Sequence, residues 1–138
     1  MTYTGEVEVG GPVDVQAAGD LEITKFAVGP LANNVYLLRC TATDERILID
    51  AADEAERVLD EIGAAGIARV VTTHRHADHT QALAEVVRAT GAASLAHADD
   101  APEIPVVTGT LRDGDTVPVG DCALEVIHLV GHTPGSIA

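Results

Sequence analysis

Apolar and polar residues alternate along this chain with two different periods. From residue 21 to 28 apolar side chains recur at every second position, Leu21 and Ile23, then Phe26 and Val28 after a phase shift, which predicts a strand. Short apolar runs at 35–38 and 47–49, separated by a turn-like stretch at 41–44, predict an antiparallel pair. Ahead of them Val7, Val9, Val13 and Val15 alternate weakly around Gly10-Gly11 and predict a loose edge hairpin. The period then changes. Ala55, Val58, Leu59 and Ile62 fall at i, i+3, i+4, i+7, the stripe of an amphipathic helix, with Asp53 and Glu56 as an acidic capping box and Gly63 and Gly66 bracketing its end. Residues 69–72 return to strand. A second helix presents Leu83, Val86 and Val87 on one face and stops at Gly91. After it come a short strand at 93–96, an acidic loop holding Pro102 and Pro105, and two strands at 115–119 and 123–130.

Antiparallel pairs followed by a strand–helix–strand–helix middle make an α/β (or α+β) fold with a mixed sheet. The 138 residues suffice for one domain with its own core. Only Tyr3, Phe26 and Tyr36 are aromatic, so that core is built from Val, Ile, Leu and Ala. The net charge of −14 argues against a nucleic-acid or anionic-membrane binder, whose surfaces need clustered Lys and Arg. No run approaches the roughly 18 apolar residues of a membrane span. The first eleven residues have neither the basic flank nor the apolar run of a secretion signal. Cys40 and Cys122 lie far apart in strand-like runs and read as reduced core thiols. These features lead one to expect a cytoplasmic protein. A −14 field also disfavours anionic substrates unless a local cation reverses its sign.

The histidines supply the means. Residues 73–80 read Thr-His-Arg-His-Ala-Asp-His-Thr and hold three of the chain's six histidines. In an extended segment His74, His76 and Asp78, spaced by two, point the same way. The segment follows a strand and precedes a helix, the kind of connection where ligands bind in open α/β sheets. Imidazole and carboxylate together suit Zn²⁺, and other divalent first-row metals as well. Each residue also has a plainer explanation: Asp78 with Gln81 as a capping box, His79 as an exposed first-turn residue, His74 and His76 as solvated loop histidines. All of these must hold at once, whereas chance yields H-x-H-x-D-H in roughly one of a thousand chains of this composition. Metal binding is the stronger reading. His132, in the Gly- and Pro-rich turn at 131–136, is the natural third imidazole. His128, inside the last expected strand, reads as a packed sheet histidine, and His97, beside Asp99-Asp100, as an exposed one.

With these residues in view, the chain resembles the metallo-β-lactamase-fold hydrolases, in their glyoxalase II-like branch. The resemblance is carried by Asn34-Val35-Tyr36-Leu37-Leu38, Ile47-Leu48-Ile49-Asp50, the motif at 74–79 and Gly131-His132-Thr133-Pro134-Gly135-Ser136, over about residues 20 to 138. It implies an αββα sandwich, with residues 1–138 forming a single domain that lacks the C-terminal part of the fold. It implies a first metal on His74, His76 and His132 and a second to which Asp78 and His79 contribute. The expected metal is Zn, with Fe or Mn as alternatives. Asp50 resembles the buried aspartate that supports the metal loop, although Ala51-Ala52 stand where many relatives have Gly. The implied activity is hydrolysis of an ester, thioester or amide by metal-activated hydroxide, with Asp78 also orienting the nucleophile. The implied partner is a small-molecule substrate. A bridging Asp and a final His of the family lie past the last residue, and two other expectations follow. One is a catalytically inactive metal-binding fragment that self-associates through an incomplete sheet. The other is a mononuclear iron oxygenase of the same fold, using His74 and His132.

Overall fold

Three antiparallel strands open the fold in the computed structural model, which describes residues 3–138. β1 (Asp14–Ala18) pairs with β2 (Leu21–Val28), and β2 pairs along its whole length with β3 (Asn33–Cys40). The register sets Phe26 opposite Val35 and Ile23 opposite Leu38, so like meets like on each face of the sheet. β4 (Arg46–Ile49) closes this meander against β3. From there the direction rule changes. α1 (Ala55–Ile62) carries the chain back so that β5 (Arg69–Val71) runs parallel to β4. α2 (Leu83–Thr90) does the same for β6 (Ala93–His97), and β7 (Gly109–Leu111) lies parallel to β6. The seven strands form one mixed sheet in chain order, and β8 (Thr116–Val119) and β9 (Cys122–Glu125) form a separate hairpin.

The strand alternation sorts side chains between two cores. Phe26, Val35, Leu48 and Val70 face the helices and pack with Val58, Ile62, Leu83 and Val86. Leu38, Ile47 and Val71 face the other way and pack with Val117, Val119 and Ile137. The layers are therefore helices, large sheet, small sheet. Full burial of a Leu, Ile, Val or Phe is worth about 1.5–3 kcal/mol, so the two stripes on each strand hold both outer layers in place.

Several expectations are corrected. Residues 7–12 do not form a hairpin; Val9 makes a single bridge to Ala27, and the outer strand is β1. Met1 and Thr2, the start of the stretch read for a leader, lie outside the described residues. The capping box of α1 does not form: Glu54 occupies the cap at φ 48°, and the Asp53 carboxylate accepts the Glu54 N–H instead. Asp78 does not cap α2, because it sits in a short 3₁₀ turn, Ala77–His79, and Ala82 is the cap residue. The N–H groups of Gln81 and Ala82 donate instead to the carbonyls of Ala52 and Ala51, which answers what those two alanines do there. The final strand ends at Glu125, not 130, since the Val126 N–H turns to Asp115 O and Ile127 pairs with Ala138. β7 went unread, being three residues long with no alternation to show. Cys40 is buried as expected while Cys122 is half-buried, and both are free thiols.

Candidate metal centre

Parallel strands end at the same edge of a sheet, so whatever follows β4, β5 and β6 gathers there. Asp50 follows β4, the segment 73–79 follows β5, and Asp99-Asp100 follow β6. The turn 131–136 joins them from outside the sheet, held by the Ile137 N–H on Thr73 O at 2.9 Å. Four connections, distant in sequence, thus meet on one edge.

His74, His76 and His132 come together there. Each offers one ring nitrogen, and the three nitrogens lie within 4.8 Å of one another. Ring centroids are 5.0 Å apart for His74–His76, 4.8 Å for His74–His132 and 4.5 Å for His76–His132, with ring planes crossing at 82°, 69° and 84°. A metal lies in the plane of each imidazole that binds it, and steeply crossed planes share such a point. Metal–nitrogen bonds of about 2.0–2.1 Å span the gap after small ring movements. The donor set fits a divalent cation. His74 is buried and the other two are exposed. Burial, helped by the nearby His79, His132 and His76, lowers the His74 pKa, so the ring stays neutral with a free lone pair.

Asp50 fixes which lone pair that is. Its carboxylate accepts from the Thr73 N–H and the Thr73 hydroxyl, both at 2.7 Å, and lies 2.9 Å from His79 Nδ1. With its proton given to Asp50, the Thr73 oxygen is left to accept from His74 Nδ1 at 3.0 Å. The network therefore assigns the proton of both His74 and His79 to Nδ1 and turns each Nε2 outward. The hydrogen bond to Asp50 also raises the His79 pKa in spite of burial. Asp50 itself is held at φ 60°, an uncommon conformation for a non-glycine residue, by the Val71 carbonyl taking its N–H.

The 3₁₀ turn bends the segment after His76, so Asp78 does not continue the two-residue alternation and stands outside the three-nitrogen group. It faces His79, with Asp78 Oδ2 3.6 Å from His79 Nε2. The Asn33 amide donates to the Asp78 carbonyl at 2.7 Å and its carboxylate at 3.2 Å. Burial works to raise the Asp78 pKa, but the Asn33 hydrogen bond and the neighbouring His79 outweigh it and hold the carboxyl below its ordinary range. Beside it opens a cleft of about 520 Å³ lined by Pro30, Leu31, Asn33, Asp53, His76 and Asp78, among others.

Two sequence readings fail here. His97 is buried, and His128 lies outside any strand, its ring stacked on His97 at 4.0 Å and 23° with Nε2 against Pro134 O at 2.8 Å. These two rings and Asp99 form a second group of metal-capable atoms among the described residues. Near-parallel rings 4.0 Å apart have no common in-plane point close to both, so this pair is arranged for stacking. Asp100, which no motif singles out, is fully buried and accepts three hydrogen bonds from the metal-edge loops. Its donors are mostly backbone N–H groups, which leave no mark in a sequence.

Residues 28–138 match the model of the metallo-beta-lactamase superfamily. The hydroxyacylglutathione hydrolase of Rhodospirillum rubrum is 39% identical over 121 residues, covering 86% of this chain and 46% of that protein. Its namesake from Fuscovulum blasticum is 40% identical over 108 residues, covering 77% and 42%. The chain thus spans about half the length of the curated relatives it matches. Among solved structures it is similar to BJP-1, a subclass B3 metallo-beta-lactamase of Bradyrhizobium japonicum, at TM-score 0.70 and 28% identity over 83% of this chain and 52% of that one. It is also similar to TTHA1623 in a di-iron-bound form, at TM-score 0.69 and 28% identity over 80% and 63%. Among the described residues no helix is long and apolar enough to cross a membrane.

Proposed function

The chain belongs to the metallo-beta-lactamase superfamily, and on that premise we propose that residues 1–138 are a single domain of a metal-dependent hydrolase acting on an ester, thioester or amide carbonyl. The observation that carries this is the convergence of His74, His76 and His132, three ring nitrogens within 4.8 Å on steeply crossed planes at the sheet edge. A divalent metal held there, with Zn as the first choice and Fe or Mn as others, would supply acidification of water and polarisation of a carbonyl at neutral pH. His74, His76 and His132 would hold the first ion, and Asp78 and His79 would serve a second. Asp50 keeps His74 and His79 in the tautomer that presents Nε2. Asp78, fixed by Asn33, is the carboxylate placed to orient a nucleophilic water toward the cleft. Leu31, two-thirds exposed at the rim of that cleft, offers apolar contact to an acyl group.

The relatives' name makes a hydroxyacylglutathione thioester the first substrate to try. The test is metal content after chelation and reloading, followed by turnover on that thioester and on simple esters and amides. Uptake of one or two ions per chain is expected, with His132→Ala weakening uptake by more than about 100-fold and abolishing turnover. Absence of uptake would overturn the proposal. Uptake without turnover on any of the three bond types would favour a metal-binding protein without catalysis.

A further inference from the structure

Among the described residues, Asp100 is the one carboxylate whose oxygens receive donors from both loops that carry the three imidazoles. Its Oδ2 accepts the Arg75 N–H at 3.0 Å, from between His74 and His76, and the Thr133 hydroxyl at 2.6 Å, from the residue after His132. Its Oδ1 accepts the Gly135 N–H at 2.8 Å. The side chain is fully buried, and Thr133 is nearly so. Burial opposes ionisation, but the Thr133, Gly135 and Arg75 donors outweigh it and hold the carboxyl below its ordinary range. A buried charge with each oxygen engaged is worth its desolvation only if those bonds are kept, so the three donors are fixed relative to one another.

The neighbouring residues are adapted to this contact. A Cβ on Gly135 would fall 2.6 Å from the Asp100 backbone nitrogen and 2.9 Å from its carboxyl group, so only glycine lets that N–H approach. On the other side the Arg75 guanidinium reaches Glu103 at 2.8 Å, tying the first loop to the same stretch of chain that presents Asp100. Apart from Ile137 on Thr73, the Asp100 contacts are the hydrogen bonds among the described residues that join the 131–136 turn to the 73–79 segment.

We infer that Asp100 is a positioning residue that clips the His132 turn onto the His74–His76 segment and thereby sets the approach of His132 to the other two imidazoles. This rests on reading those imidazoles as a metal site, and the experiment separates the two claims. Asp100→Asn keeps the volume but puts an NH₂ donor in place of one of the two oxygens that accept these three bonds. Thr133→Val removes one donor without touching charge, and Thr133→Ser restores it. Each variant and the unaltered chain are followed by amide hydrogen exchange in the metal-free state, by zinc affinity in chelator competition, and by the visible absorption of the Co²⁺-loaded protein.

The expected result is faster exchange at Arg75 and Gly135 in Asp100→Asn, zinc affinity lowered about 10–100-fold, and altered Co²⁺ bands. Thr133→Val should show the same pattern more weakly, and Thr133→Ser should recover it. Should Asp100→Asn not fold, Thr133→Val against Thr133→Ser carries the test. Wild-type zinc affinity and unchanged Co²⁺ bands in Asp100→Asn and Thr133→Val would overturn the inference and leave the proposed function standing. If the unaltered chain binds no zinc, the proposed function falls. The clip is then judged on exchange alone, where unchanged protection of Arg75 and Gly135 overturns it.

Discussion

Asp50 shows how much a single residue can be asked to do. It is almost fully buried, sits at φ 60°, and answers three donors, two of them on Thr73. Asp50→Ala would strand the Thr73 N–H and hydroxyl and release both imidazole tautomers. The expected cost is about 1–3 kcal/mol of stability, from two unsatisfied half-buried donors, measured by urea unfolding of the metal-free protein. Residues like His74, His76, His132 and Asp50 were legible in the sequence because short motifs carry them, and the spacing by two placed His74 and His76 together. Asp78 was misplaced by the same rule, since nothing in the residue order marks the 3₁₀ turn that interrupts the extended segment. His97 and Asp100 were unreadable for a different reason. Their surroundings come from the turn at 128–135, more than thirty residues on, and only the assembled fold brings the two together.

At the level of elements, periodicity was a good guide where it had length to act on. α1 begins and ends where its stripe does, and α2 stops at Gly91, whose φ of 71° is the left-handed turn a helix C-terminus needs. Beyond Gly91 itself and its two chain neighbours, no heavy atom lies within 4 Å of where a Cβ would stand, so its requirement is conformational alone. Gly91→Ala should therefore destabilise by about 1 kcal/mol, read as a lower melting temperature with zinc affinity unchanged. The helix starts were harder. α1 starts on a left-handed Glu54 and α2 on carbonyls lent by Ala51 and Ala52, so neither uses the side-chain cap that a sequence can display. Sheet edges were harder still: the outermost strands β1 and β7 and the hairpin strand β9 are three to five residues long, and their bounds are set by partners.

The molecule as a whole puts a −14 charge around a site made of imidazoles and carboxylates. Few cations are left over: Arg39, Arg46, Arg57, Arg69, Arg75 and Arg88 are each within ion-pair reach of an acid. A bound divalent ion would offset this field where substrate approaches, and would stabilise only the folded chain. At a free zinc concentration of about 100 times Kd the gain is near 2.7 kcal/mol, so the melting temperature should climb with added zinc and lose that dependence in His132→Ala. The edge-gathering topology has one more consequence. His74 and His132 lie almost half a chain apart, yet the Ile137–Thr73 bond and the Asp100 contacts bring their loops side by side. A single ion shared between them is a reversible cross-link that closes a long loop, and it cannot form before the sheet has. Zinc added to the refolding chain is accordingly expected to slow unfolding and leave the folding rate unchanged, the signature of a site assembled after the rate-limiting step; faster folding with zinc would put its assembly before that step.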